Sequence, residues 1–323
     1  MTETLRVVTL NIHKGLSQFN RRMVIHELRE GLRTLAPDLA FLQEVQGLNE
    51  RHAVRFPAWP NAPQHEFLAP SDWQHAYGRN RVHHHGHYGN AILSRFRILS
   101  AENEDVSDHR FERRGMLHCV VEVPGWRRNL HCVCVHLSLH EGGRRRQLDA
   151  IGARLEQLAG RDLPIVVAGD FNDWRQRATR ILEDRLGMQE VTKAYGRRPA
   201  RTFPSLLPFL RLDRIYVRGF SVVEASVHRG PPWSLLSDHL ALGAMLKPVS
   251  TTYAGCANFT PLSVCCTTTE TVLVVVRPLG LVIVTSKSYV PARLNAAIVF
   301  FASFVPLALK VTGAGGVPVV DQV

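Results

Sequence analysis

The chain has 323 residues, enough for one large domain or two ordinary ones, and its 45% hydrophobic and 21% charged residues place it among globular chains. Its formal charge of +11, from 39 Lys and Arg against 28 Asp and Glu, favours polyanions such as nucleic acid or an anionic membrane surface, without choosing between them. Six cysteines in a chain this long, with no Cys-x-x-Cys, exclude a small disulfide scaffold.

The N-terminus, "MTETLRVVTLNIHKG", has no basic segment followed by an apolar core, so a leader peptide is not expected and a reducing cytoplasm is. A strand pattern starts at Leu5 and ends on Asn11. In "NRRMVIHELREGLRTL", Val24, Leu28, Leu32 and Leu35 recur at helical spacing, with Asn20 as the expected N-cap. "DLAFLQEV" is a second strand, ending near Glu44. "NAILSRF", "MLHCVVEV" and "LHCVCVHL" are further strands, and in the last of them Cys132 and Cys134 share a face as small buried hydrophobes. "RRRQLDAIGARLEQLAG" is a helix with Leu148, Ile151, Leu155 and Leu158 on one side. "PIVVAGD", "RLDRIYV", "SVVEASV" and "LALGAML" complete the strands. Strands that cluster in runs and also alternate with helices suit two sheets packed face to face with helices outside.

After "LKPVS" the composition breaks. Residues 249–323 hold four basic and two acidic side chains, which leaves a surplus of nine positive charges and all 16 histidines in residues 1–248. The tail reads as an apolar, low-charge appendage without a part in the chemistry, disordered or in contact with a membrane through residues 294–311.

The strand ends carry the chemistry. Asn11, Glu44 and His136 end apolar runs; Asp170 and Asn172 follow "PIVVAG"; Asp213 lies in "RLDRIYV"; Asp238 and His239 lie in "LLSDHLAL". If these ends converge, carboxylates, amides and imidazoles meet at one rim, and carboxylates that close raise each other's pKa or require a cation. Oxygen-rich, thiol-free ligands suit Mg²⁺, with Mn²⁺ as substitute, and leave the histidines for phosphate oxygens or acid–base work. There is no Gly-x-x-x-x-Gly-Lys-Ser/Thr loop, which argues against a kinase or nucleotide-driven motor.

The segments "TLNIHKG", "LAFLQEV", "GNAILSR", "VHL", "VAGDFN", "RTFP…RLDRIYV" and "SDHLAL", spanning residues 5–246, resemble the endonuclease/exonuclease/phosphatase superfamily. "LNIHKGLSQFNRR", "AYGRN", "GDFNDWRQ" and "RPARTFP…LRLDRIYV" are similar to its bacterial YbhP-like branch. The resemblance implies the DNase I-like fold, a four-layer α/β/β/α sandwich of two packed mixed sheets flanked by helices, and a metal-dependent hydrolase of phosphate esters. It implies that Glu44 is the principal Mg²⁺ ligand, with Asn11 and Asp238 completing or supporting the metal site. Asp170 would orient or deprotonate the attacking water, or protonate the leaving oxygen. Asn172 would hold the nucleophile or a phosphate oxygen, His239 paired with Asp213 would contact the scissile phosphate, and His136 would donate to a phosphate oxygen.

Other residues are weighed more lightly. His83, His84, His85 and His87 in "RNRVHHHGHYGN" are expected in a solvated loop, because consecutive histidines cannot converge on one ion. Asn90 and Trp174 are candidate substrate contacts. Trp73, Trp174 and Trp233 could each stack on a base or a lipid headgroup, with Trp174 the best placed, but core packing is the first expectation for each. Arg144, Arg145 and Arg146 are expected on a solvated helix face, with a phosphate-contacting patch as the alternative. The expected reaction is attack of water on a phosphodiester or phosphomonoester. A nuclease-type substrate comes first, a phospholipid or phosphoinositide headgroup near a membrane second, and a non-catalytic module that binds a phosphate ligand third.

Overall fold

The computed structural model describes residues 3–109, 112–158 and 163–249, together with four strands of the C-terminal region. The chain forms two compact units, Met1–Ser250 and Thr251–Val323.

The first unit holds two six-stranded sheets. The first sheet contains β1 (Leu5–Asn11), β2 (Leu39–Asn49), β3 (Gln74–His83), β4 (Gly86–Ser94), β11 (Phe220–Val227) and β12 (Leu242–Pro248), in the order β11-β12-β1-β2-β4-β3. The second contains β5 (Arg97–Asp105), β6 (Gly115–Glu122), β7 (Leu130–His136), β8 (Ile165–Asp170), β9 (Gln189–Glu190) and β10 (Asp213–Arg218), in the order β5-β6-β7-β8-β10-β9. At the middle of each sheet lies one parallel pair, β1 with β2 and β7 with β8. Parallel neighbours need a crossover, and here each is a helix: α1 (Ile25–Leu35) for the first, α4 (Glu141–Leu158) for the second. Two shorter helices, α2 (Glu50–Arg55) and α3 (Gln64–Leu68), follow β2.

Side-chain alternation builds the layers. Val7, Leu39, Phe41 and Ile92 of the first sheet meet Cys119, Cys132, Cys134, Val166, Ala168 and Ile215 of the second in the central core. Their neighbours Val8, Leu10, Ala40 and Leu42 point the other way, onto Ile25, Leu28 and Leu32 of α1. Val133, Val135 and Val167 point outward onto Leu148, Ile151 and Leu155 of α4. The central strands are therefore buried on both faces, which is why they read as unbroken apolar runs. Each fully buried Leu, Val or Phe contributes about 1.5–3 kcal/mol to keeping the layers together. Cys119, Cys132 and Cys134 are free and buried, and burial raises all three thiols, to about 12 for Cys119 and Cys134.

Several local expectations change. α1 starts at Ile25, so Asn20 is not its N-cap. Asn20 sits in a tight turn with φ +55°, and its side chain meets His13 Nε2 at 3.0 Å. The histidine stretch is the tip of the β3–β4 hairpin, with only His84 and His85 in the turn; His87 is in β4 and bonded to the Tyr77 hydroxyl at 3.0 Å. Strands β3 and β5 stand at sheet edges with mostly exposed side chains, so no apolar run announces them. Arg144 does not lie on a solvated face: it is 3% exposed and donates to the carbonyls of Ser138 and Leu139.

Gly169 sets the approach to the last residue of β8. Its φ is +150°, and a Cβ there would stand 1.9 Å from the Val135 carbonyl oxygen of β7. Gly169→Ala is expected to cost on the order of 3 kcal/mol. A denaturation midpoint unchanged from the wild type would contradict this.

In the second unit, strands Cys266–Val276, Gly280–Val290, Ala297–Ala302 and Thr312–Ala314 pair antiparallel in sequence order. Of the span 294–311 expected to touch a membrane, only Ala297–Ala302 is among the described residues, as a strand. No helix among the described residues is long and apolar enough to cross a membrane.

Candidate active site

Sheet pairing brings the polar strand ends together. His136 ends β7, Asp170 ends β8 and Asp213 opens β10, and the three are register partners across adjacent strands. Asn11 ends β1 in the other sheet, and its amide donates to Asp170 Oδ2 at 3.2 Å, so the site spans both sheets at one end of the sandwich. Asp238 and His239 stand on the segment entering β12, which pairs antiparallel with β1 and so starts at the same end. Ser237 fastens that segment: its hydroxyl donates to the Asn11 carbonyl at 2.6 Å and accepts from the His239 N–H at 3.2 Å.

Asp170 is the hub. Its Oδ1 accepts the Asn172 N–H at 2.9 Å, while Oδ2 faces His136 Nε2 at 3.6 Å and His239 Nε2 at 3.7 Å. Those two gaps are too long for hydrogen bonds. The other His239 nitrogen, Nδ1, meets Asp213 Oδ2 at 2.8 Å. The Phe203 ring lies 4.8 Å from the His239 ring. Asn172 donates to the Leu137 carbonyl at 2.9 Å. Glu44, Asn172, His13 and Lys14 all have positive φ, at +55°, +49°, +46° and +59°. Such strain in non-glycine residues gathers where side chains must be aimed.

The electrostatics separate the groups. Burial pushes the Asp170 carboxyl up to about 6, with Asp213 adding to it against His239, Asn172 and Asn11. Burial alone would lower His239, but the carboxyl groups of Asp213, Asp170 and Asp238 raise it to about 10. His136 is driven well below its usual value by burial and by Arg114. Burial also acts to raise Glu44, yet Lys14, His136 and His13 bring it down to about 2. At neutral pH the site thus holds an imidazolium at 239, a neutral imidazole at 136, and carboxylates at 44 and 170.

A model of the Endonuclease/Exonuclease/phosphatase family matches residues 8–239, which include all of these side chains. The chain belongs to the endonuclease/exonuclease/phosphatase family. It is 45% identical to the YbhP protein of Escherichia coli strain K12 over 243 residues, 75% of this chain and 95% of that one. The fold is that of solved family members. One from Bacteroides vulgatus superposes with a TM-score of 0.60 at 18% identity, over 76% of this chain and 99% of that chain. D. rerio TDP2, solved with a single-strand DNA product, gives 0.55 at 18% identity over 76% and 99%.

Within this family member, two ion pairs bring in side chains to which the sequence reading gave no role. Lys14 Nζ is 2.5 Å from Glu44 Oε2, and His13 Nδ1 is 2.8 Å from Asp238 Oδ2. Their one visible signal was position, two and three residues after Asn11 in "NIHKG". Asn90 is buried at 1% exposure and donates to the carbonyls of Gly115 and Cys134, so it ties the two sheets together. Trp174 is 43% exposed on the loop after Asp170, with the Arg144 guanidinium 4.9 Å from its ring. Trp233 is in the layer under α1, and Trp73 packs against that layer.

Among the described residues no group of three His, Cys, Asp or Glu side chains forms a metal cage by itself. The donor set is open instead. Glu44 is a carboxylate of low proton affinity already facing a cation, the Lys14 ammonium on a flexible, 30% exposed side chain. Asn11 and Asp238 stand at neighbouring strand ends. Mg²⁺ takes one or two carboxylates and fills its remaining positions with water and substrate oxygens, so these residues fit it.

Proposed function

We propose that this chain is a Mg²⁺-dependent hydrolase, with Mn²⁺ as substitute, that breaks a phosphodiester or phosphomonoester by in-line attack of water. Family membership supports phosphoester hydrolysis. The observation that carries the finer reading is the convergence on Asp170 of Asn11, His136 and His239, three groups from three different strand ends.

Each residue then has work suited to its state. The Asp170 carboxylate, ionised above about pH 6, holds the attacking water and accepts its proton. The His239 imidazolium, fixed through Nδ1 by Asp213, presents Nε2–H to the phosphate. His136 presents a neutral Nε2 beside it. Asn172, whose amide nitrogen is engaged by Leu137, keeps its side-chain oxygen for the nucleophile. Glu44, Asn11 and Asp238 would hold the ion. An ion held by them would supply charge neutralisation at the phosphate and activation of water.

Two substrate classes answer to specific observations. Nucleic acid is supported by the surplus of positive charge before residue 249 and by the DNA product in the D. rerio TDP2 structure. A phospholipid headgroup is supported by apolar side chains left exposed on the rim loops. The full chain should be assayed with Mg²⁺, Mn²⁺ or EDTA on plasmid DNA, RNA, phospholipid vesicles and bis(p-nitrophenyl) phosphate. We expect hydrolysis of at least one ester, abolished by EDTA. Turnover indifferent to EDTA would refute the metal, and no turnover of any ester with either metal would reduce the site to a binding cleft.

A further inference from the structure

Among the described residues, thirteen large apolar side chains are exposed. Only Leu99 and Val223, on edge strands, and Val249, after β12, lie elsewhere; the other ten are on loops, strand tips or, for Val54 and Leu235, short helices that connect the strands at the end that carries the site. Phe19 follows Asn11, Leu139 follows His136, and Leu235 precedes Asp238. Scattered exposed leucines are ordinary, but their gathering around one mouth is not. The densest group is the loop between Phe203 and Leu210, closed at its base by a bridge between those two residues. On it Leu206 is 60% exposed, Leu207 75% and Phe209 57%.

Beside the stem of that loop is a pocket of about 550 Å³ lined by Arg197, Arg198, Arg201, Arg211 and Arg229, with no Asp or Glu among its lining residues. It lies against Ala225–Val227, the end of β11. β11 and β1 both run antiparallel to β12, so this end of β11 is on the same side as Asn11. Burial and the charges of Arg201, Arg214 and Arg198 push the Arg211 guanidinium down. The fold thus holds cations close together without a counter-charge in the pocket. Guanidinium forks match phosphate oxygens, and five of them exceed the need of one phosphate.

We propose that this rim is a docking surface for an anionic lipid bilayer, with Leu206, Leu207 and Phe209 entering the headgroup region while the arginine pocket holds lipid phosphates. Apolar tips and a cation cluster side by side are what an interfacial anchor requires: burial of apolar area for the first, the negative surface potential for the second. Nucleic acid would use the arginines and could stack a base on Phe209, but it has no use for the two leucines that stand furthest out on the loop, Leu206 and Leu207 at 60% and 75% exposure. The inference rests on the proposed hydrolase only for what the docked mouth meets. Docking is read by binding alone, so either idea can fail without the other.

The test is sedimentation of the full chain with phosphatidylcholine vesicles, with and without phosphatidylserine. Wild type should bind the phosphatidylserine vesicles and lose them as salt is raised. The combined Leu206→Ser, Leu207→Ser and Phe209→Ser variant should bind at least tenfold more weakly. Arg198→Gln and Arg201→Gln should each cost about fivefold. All these side chains are exposed, so the melting temperature should not move. Equal binding by the serine variant, equal binding without phosphatidylserine, or no sedimentation of wild type would overturn the proposal. So would a single-stranded oligonucleotide that the arginine variants release while their vesicle binding is unchanged.

Discussion

Asp170→Asn is expected to lower turnover of any hydrolysed phosphoester by about 10³-fold, the scale of losing a positioned general base. Asparagine keeps the shape and can still accept the Asn172 N–H now 2.9 Å away, but it cannot take a proton from water. The pH profile separates a chemical role from a structural one. Burial holds the Asp170 carboxyl up to about 6, so wild-type turnover should rise as pH passes through about 6. In the variant that acidic limb should vanish. Stability should move the other way. A carboxyl whose folded pKa lies above its ordinary value binds protons more tightly in the folded state, so ionising it works against the fold above about pH 6. With EDTA present at pH 7, the variant should melt at or above the wild-type temperature. A variant with wild-type turnover, or one whose acidic limb persists, would remove Asp170 from the chemistry.

Glu44→Gln should weaken Mn²⁺ binding, followed by calorimetry, by about 100-fold or more, and remove metal-stimulated turnover with it. Glutamine preserves the side chain's length but leaves Lys14, now 2.5 Å from the carboxylate, without its counter-charge. A second readout is stability against acid. The folded-state value for Glu44 is about 2 against an ordinary 4.5, so its stabilisation is complete above pH 4.5 and is lost as pH falls through about 2. The glutamine variant should therefore lose less stability than wild type across that window. Unchanged Mn²⁺ affinity would detach Glu44 from any ion.

Much of this protein is written in local pattern. The central strands are buried on both faces, and Leu5–Asn11, Leu130–His136 and Ile165–Asp170 are apolar runs for that reason alone. A polar residue that ends such a run is conspicuous, so Asn11, His136 and Asp170 could be named before any partner was known. The helix over α4 and the buried state of Cys132 and Cys134 follow from periodicity in the same way. Edge strands β3 and β5 were not legible, because a strand with one solvated face and no second neighbour keeps no apolar signature.

What only the tertiary structure decided is who meets whom. The alignment of His136, Asp170 and Asp213 across three strands is a matter of register, set by pairing between segments far apart in the chain. His13 finds Asp238 through the pairing of β1 with β12, and Asn11 finds Asp170 across the closure of the two sheets. The gathering of exposed leucines and arginines at the same mouth depends on that closure too. Local sequence encodes whether a side chain is buried, because burial follows the period of the element that carries it. It does not encode the partner, because that depends on long-range contacts whose geometry exists only once the sheets have packed.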